Sequence, residues 1–157
     1  MFKRLCTVFC YVICAAVDPT AASAAEPPKP VFNEALAKRL GADEYGMRQY
    51  VFVLLKTGPT PKPKGPERDE MFKGHFANMK RLAAEGKLAV AGPFDGVNGW
   101  RGMFILAAKD IEEAKKLTAT DPVIASGEMI AEYHVHYGSA ALMQVEETHP
   151  SIAKKEM

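Results

Sequence analysis

The chain has 157 residues, 25% of them charged, and a formal net charge of +1. Such a length fits a single domain with a modest hydrophobic core. Without a run of basic residues, the chain lacks the charge pattern by which proteins bind nucleic acid or a membrane surface.

Residues 1–25 have the pattern of a secretory signal peptide. A positively charged start precedes an apolar run, which ends in a series of small residues. The sequence predicts cleavage near Ala25 and a periplasmic or secreted mature protein; a retained membrane anchor is the alternative. Cleavage removes all three cysteines and brings the formal charge to zero. A disulfide framework, a thiol nucleophile or a cysteine metal ligand is therefore not expected.

The mature chain is predicted to begin with a linker and a short helix, at 26–48. Its stretch EPPKP is typical of a linker, and residues 33–40 favour a helix that ends at Gly41. Aromatic and β-branched residues at 49–55 predict the first strand. The proline-rich stretch at 57–70 predicts a long loop after it.

The hydrophobic period becomes that of a helix between Glu67 and Glu85. Four apolar residues there recur at positions i, i+4, i+7 and i+11: Phe72, Phe76, Met79 and Ala83. They predict an amphipathic helix that ends at Gly86 and turns this stripe towards the core. His75 lies on the flank of the stripe.

Three further strands and a helix follow. Strands are predicted at 87–94, 100–108 and 128–137, and Asp110 has the position of an N-cap for a helix at 111–119. The segment DPVIASG breaks the chain before the last strand.

The order β-α-β-β-α-β predicts an α+β fold of the ferredoxin-like, split βαβ type. Such a domain, here at 49–138, has a four-stranded antiparallel sheet with both helices on one face. The strands are apolar at nearly every position, so the open face is expected to be buried against a second copy, giving a homodimer. The tail at 139–157 either packs across that dimer, forms an extra element or frays.

Two polar residues within one short segment are candidates for chemistry. His75 lies on the predicted helix, and Asp95 follows the next strand. A carboxylate that accepts a hydrogen bond from one imidazole nitrogen fixes the tautomer and raises the basicity of the other nitrogen. The alternatives are a structural core histidine and a turn aspartate whose carboxylate holds backbone N–H groups.

Other polar residues are candidates for binding roles. Trp100 and Arg101 open the third strand beside the Asp95 turn and are predicted to bind substrate; for Arg101 a solvated strand-edge charge is the alternative. His134 and His136 lie on one face of the last strand, but without a third ligand nearby no metal site is predicted. No motif for a cofactor is present in the sequence.

The segment from Tyr50 to Tyr137 resembles the YCII-related family, small dimeric α/β-barrel proteins akin to muconolactone isomerase. The resemblance lies in the stretches YVFVLLKTGP, GHFANMKRLAAEGKL, AVAGPF, GMFILAAKDIEEAKKL and TDPVIASGEM. It implies a histidine–aspartate pair in a pocket between helix and sheet. His75 takes the place of the histidine. Asp95 is the acid in the turn after AGP, and Asp121 also matches a family position.

Two functions remain open at this point. The first is a cofactor-free, exported enzyme of the lyase or isomerase type, which uses His75 and Asp95 on a small aromatic or enol-like molecule. The resemblance includes a dehydrochlorinase that acts on a chlorinated hydroxyhydroquinone. The second is a periplasmic protein that binds a small molecule without turnover.

Overall fold

The computed structural model describes residues 31–155, so the predicted signal peptide lies outside the described residues. The helices and strands follow in chain order: α1 (Glu34–Leu40), β1 (Met47–Thr57), α2 (Pro66–Ala84), β2 (Leu88–Pro93), β3 (Trp100–Leu106), α3 (Ile111–Thr118), α4 (Pro122–Ala125), β4 (Met129–Ser139) and α5 (Val145–Ile152). Short 3₁₀ turns at Val97–Gly99 and Ala140–Gln144 precede β3 and α5.

The four strands form one antiparallel sheet in the order β2-β3-β1-β4. β1 lies in the centre, where Val53 pairs with Phe104 of β3 and with Tyr133 of β4. The strands β1 and β2, joined by α2, are separated by β3, which is the split βαβ arrangement. The predicted fold is confirmed.

Alternation along the strands places the core between the sheet and the helices. Val51, Val53 and Leu55 of β1 are buried on the same face as Phe104 and Leu106 of β3. Apolar residues of α2, α3 and α4 pack against this cluster. This core positions the face of α2 that carries the candidate site.

The buried stripe of α2 is shifted by one position along the sequence from the predicted stripe. Its four buried members are Met71, His75, Asn78 and Leu82. Phe72, Met79 and Ala83 are partly buried at the margin of the stripe. The prediction of Phe76 as a core residue is wrong, since this residue is 46% exposed. Two polar residues in the stripe conceal its true direction from an analysis of hydrophobic period.

The other face of the sheet is covered at one end. Tyr50 points to this face, since it alternates with Val51, yet it is fully buried and its hydroxyl donates to the Ser139 carbonyl at 2.9 Å. The turn Ala140–Gln144 contacts α1, β1, β2 and α5 there. The predicted tail therefore forms an extra element. In residues 31–155, no helix has the length and apolarity needed to span a bilayer.

Candidate active site

His75 and Asp121 form a buried pair between α2 and the start of α4. The Nδ1 atom of His75 lies 2.9 Å from Oδ1 and 2.8 Å from Oδ2 of Asp121. Asp121 is 0% exposed, and the His75 residue is 7% exposed. An ionised carboxylate can only accept, so the hydrogen of this contact lies on Nδ1, and Nε2 is the ring nitrogen that Asp121 leaves for other contacts.

The local sequence brings Asp121 to this place. It is the N-cap of α4, where Oδ1 accepts the Val123 N–H at 3.1 Å, and Pro122 occupies the first helical position, which suits proline. Gly74 lets α4 approach α2: a Cβ at Gly74 would lie 3.1 Å from Cγ of Pro122. The carboxylate is thus held by its own helix as well as by His75.

A second set of polar contacts ties the residue before Asp121 to α2. The Thr120 hydroxyl donates to Oδ1 of Asn78 at 2.9 Å, and Nη2 of Arg81 donates to that same oxygen at 2.8 Å and to Thr120 at 3.0 Å. Within the described range, the buried Nδ2 of Asn78 has no hydrogen-bond partner. These contacts hold the loop that carries Asp121 in position.

Three aromatic rings surround the imidazole. The ring centroids of Phe72, Phe76 and Phe104 lie 5.9, 5.4 and 6.1 Å from that of His75. An open groove of about 490 Å³ runs along α2, and Phe72 and Phe76 contribute to its lining. His75 is not among the residues that line this groove; Phe72 and Phe76 are the residues that the groove shares with the surroundings of the imidazole.

A second buried carboxylate lies at the other end of α4. Glu128 is 1% exposed; its Oε1 accepts from Nη2 of Arg68 at 2.9 Å and lies 3.6 Å from Nη1 of Arg101. Its Oε2 accepts the Lys62 N–H at 2.6 Å. The guanidinium of Arg68 also lies 4.5 Å from the ring centroid of Phe72, so this cluster and the histidine contact the same ring.

The surroundings of Glu128 favour its charged form. Burial raises the pKa of the carboxyl, but the hydrogen bonds from Lys62 and Arg68 and the charges of Arg68 and Arg101 outweigh it. The pKa of Glu128 therefore lies below its ordinary value. The cluster is a fixed anion between two permanent cations.

The structure corrects the predicted partner of His75. Asp95 lies in the turn beyond β2, an edge strand, and its Oδ1 accepts the Val97 N–H at 3.0 Å. Asp95 thus has the alternative role given for it above, a turn aspartate whose carboxylate holds a backbone N–H group. The acid beside His75 is Asp121, because the α3–α4 segment crosses the face of the sheet that α2 covers.

The two predicted binding residues lie in different surroundings. Arg101 stands where the pairing of β1 with β3 shifts register, since Lys56 pairs with Trp100 while Leu55 pairs with Gly102, and its guanidinium reaches Glu128. The ring of Trp100 is exposed and lies 5.8 Å from that of Phe94. Only Arg101 joins the cluster that contacts Phe72.

The two histidines of the last strand, His134 and His136, are exposed. Nε2 of His134 donates to Oε1 of Glu132 at 2.9 Å, and Lys56 also pairs with Glu132. Among residues 31–155 there is no group of three or more His, Cys, Asp or Glu side chains placed to hold a metal ion.

In the sequence, Asp121 is a match to a family position but not the predicted partner of His75, and neither Arg68 nor Glu128 is a predicted site residue. The signal for Asp121 was Asp-Pro, a common helix start, directly after a helix. The signal for Arg68 was its spacing of i, i+4 and i+7 with Phe72 and His75. No comparable signal marks Glu128, whose burial depends on tertiary packing.

Residues 50–137 match the profile of the YCII-related domain. Over 54 residues the chain is 39% identical to the uncharacterized protein YjpA of Bacillus subtilis (strain 168); the match spans 34% of this chain and 61% of that relative, less than two thirds of its length. A similar solved structure has a TM-score of 0.38 and 20% identity over 55% of this chain and 90% of that chain. It is the 5-chloro-2-hydroxyhydroquinone dehydrochlorinase TftG from Burkholderia phenoliruptrix AC1100, in complex with 2,5-dihydroxybenzoquinone.

Proposed function

We propose that this chain, which belongs to the YCII-related family, is a cofactor-free enzyme of the lyase or isomerase type. Its proposed substrate is a small aromatic or enol-like molecule. His75 is the general base, and Asp121 orients it. The observation that carries the proposal is the buried contact between Nδ1 of His75 and the carboxylate of Asp121.

The geometry supports a simple course for the reaction. Asp121 holds the hydrogen on Nδ1, so Nε2 takes a proton from a phenol or from a carbon next to a carbonyl. The electron pair left behind expels a leaving group such as chloride from a saturated carbon of the same conjugated system, which gives an elimination. Alternatively, it shifts a double bond and the imidazolium returns the proton at another carbon, which gives an isomerisation.

The test is an assay of purified mature protein on two sets of compounds. Chlorinated hydroquinones are assayed for chloride release, and enolisable aromatic ketones are assayed by NMR for deuterium uptake from D₂O. We expect His75→Asn to fold and to lose turnover by roughly 10²–10⁴-fold. His149→Asn, at an exposed position of α5, serves as the matched control and should keep full turnover.

Equal turnover by wild type and His75→Asn would contradict the proposal. Saturable binding of these compounds without any turnover would instead favour the alternative function, a protein that binds a small molecule and does not transform it.

We further propose that the chain acts as a homodimer. The part of the open sheet face that the C-terminal segment leaves uncovered includes Phe52, which is partly buried, and Ile130, which is half exposed. An apolar sheet face of this kind is commonly buried against a second copy. Light scattering should report twice the mass of the mature chain. A monomer at micromolar concentration would overturn this.

Export is the remaining part of the proposal. It rests on the signal-like pattern of residues 1–25. Intact-mass analysis of the protein from its native cells should give a mature chain that begins near Glu26, in the periplasm or the medium. A mass that includes Met1 would overturn both the compartment and the loss of the cysteines.

A further inference from the structure

The cluster around Glu128 contains more positive charge than its one carboxylate neutralises. Arg68 and Arg101 share this carboxylate, and the cluster so defined has a net charge of about +1 because guanidinium groups stay protonated. The nearby charges of Lys62 and Glu67 pair with each other. The cluster therefore carries one positive charge that its own carboxylate does not neutralise.

The contacts of Arg101 are incomplete in a specific way. Its guanidinium lies 3.6 Å from Oε1 of Glu128, which is beyond the usual range of a hydrogen bond, and its side chain is only 25% exposed. A guanidinium has five N–H donors, and a partly buried one with few acceptors is costly. Arg68, by contrast, donates to Glu128 from Nε and Nη2. Arg101 thus has donors to offer to a ligand.

The cluster lies at a suitable distance from the proposed base. Arg68 precedes His75 by seven residues on α2, which is about 10 Å along the helix axis. Phe72 lies between them and contacts both, with its ring 4.5 Å from the guanidinium of Arg68 and 5.9 Å from the imidazole. One aromatic ring with a hydrogen bond at each end spans about this distance.

We infer that Arg68 and Arg101, held by Glu128, form a subsite for the anionic group of an aromatic substrate, a carboxylate or a phenolate, whose other end faces His75. This inference rests on the proposed function for the role of His75. Planar, forked donors suit such oxygen anions, and a bidentate contact orients the ring as well as binding it.

The experiment measures binding of two matched pairs of probes by NMR titration of the ¹⁵N-labelled mature protein. Benzoate is compared with neutral benzamide, and 4-nitrophenolate with neutral nitrobenzene. We expect at least one anion to bind at least tenfold more tightly than its neutral counterpart and to shift the resonances of Arg68, Phe72 and Arg101. The arm that responds distinguishes a carboxylate from a phenolate.

Variants then locate the site. Arg101→Gln should weaken binding of the anion at least tenfold and leave the neutral probe unchanged, and Arg101→Lys should give an intermediate loss. Arg39→Gln is the control, because Arg39 is an exposed arginine paired with Glu147. His75→Asn should keep the anion affinity, so a lack of turnover alone does not count against the subsite.

Three results would overturn the inference. They are the absence of saturable binding by both anions, equal affinity for charged and neutral probes, and an equal loss of affinity in Arg39→Gln and Arg101→Gln. The ¹⁵N spectrum of each variant establishes that it is folded. If Arg101→Gln does not fold, Arg101→Lys decides, since it keeps the charge and loses the forked geometry.

Discussion

Two buried carboxylates flank the same short helix and face the same side of α2, but they do different work. Asp121 precedes α4 and pairs with a histidine, whereas Glu128 follows α4 and pairs with two arginines. Both are essentially inaccessible to solvent. The difference lies in the partner, because imidazole gives up its proton near neutral pH and guanidinium does not.

This difference gives Asp121 a role in the proposed reaction and Glu128 a structural role. A carboxylate beside a titratable base holds that base in the tautomer that can accept a proton, which is the role given to Asp121. A carboxylate between permanent cations has no proton to exchange, so Glu128 stabilises the loop at Lys62 and positions the two guanidinium groups. We therefore expect changes at Asp121 to affect turnover most and changes at Glu128 to affect stability most.

The largest effect is expected at the histidine pair. Asp121→Asn keeps an N-cap for α4, since asparagine caps as well as aspartate, but it removes the charge that orients His75. Turnover should fall in the same direction as in His75→Asn, within the roughly 10²–10⁴-fold range of a general base. The double variant should lose much less than the product of the two single losses. Multiplicative losses would show that the two residues do not share a step.

Glu128→Gln should show the opposite balance. It leaves two partly buried cations without their anion, and we expect the free energy of unfolding to fall by about 2–3 kcal/mol at pH 7. Urea denaturation measures this loss. Turnover per folded molecule should fall less than in Asp121→Asn, and a larger fall would remove the distinction between the two carboxylates.

The stability difference between wild type and Glu128→Gln should depend on pH in a definite direction. The pKa of Glu128 lies below its ordinary value of 4.5, so the folded protein binds its proton less readily than the unfolded chain. The stability that ionised Glu128 contributes is present above pH 4.5 and is lost as the pH falls through the folded-state pKa. The gap between wild type and Glu128→Gln should narrow on acidification; a gap that widens would contradict the pairing.

Gly74 tests the approach of α4 to α2. Leucine at this position must displace Pro122, whose Cγ would lie 3.1 Å from the new Cβ. We expect a loss of about 1–2 kcal/mol in the free energy of unfolding, with a further loss of turnover because Asp121 moves with Pro122. Ala84→Leu, at an exposed position near the end of α2, should have little effect on either quantity. Normal turnover in Gly74→Leu would show that the pair tolerates displacement.

The smallest effect is expected at the acid that was predicted first. Asp95→Asn keeps a side-chain oxygen for the Val97 N–H, and asparagine is well suited to this kind of turn. Stability should stay within about 0.5 kcal/mol of wild type. Turnover should also be unchanged, and a loss as large as that of Asp121→Asn would restore Asp95 as a catalytic candidate.

Local signals accounted for most of the fold. Asp110 caps α3 as predicted, with its Oδ1 accepting the Glu113 N–H at 2.7 Å, and α1 ends at Gly41 in a left-handed conformation. The predicted positions of strands and helices agreed with the structure because helix caps, glycine turns and the hydrophobic period depend on residues that are close along the chain. The predicted stripe of α2 was one position away from the buried one because His75 and Asn78 are buried polar residues. A pattern of hydrophobic residues does not include them.

By itself, the sequence determined the order of elements and the candidacy of His75, since both follow from patterns that are local along the chain, and the order in turn indicated the split βαβ sheet. The tertiary structure alone decided which acid meets His75 and which cations meet Glu128. Asp121 is 46 residues from His75, and Glu128 is 60 residues from Arg68. Such pairs form only when α4 packs against α2, and that packing depends on the whole sheet beneath them.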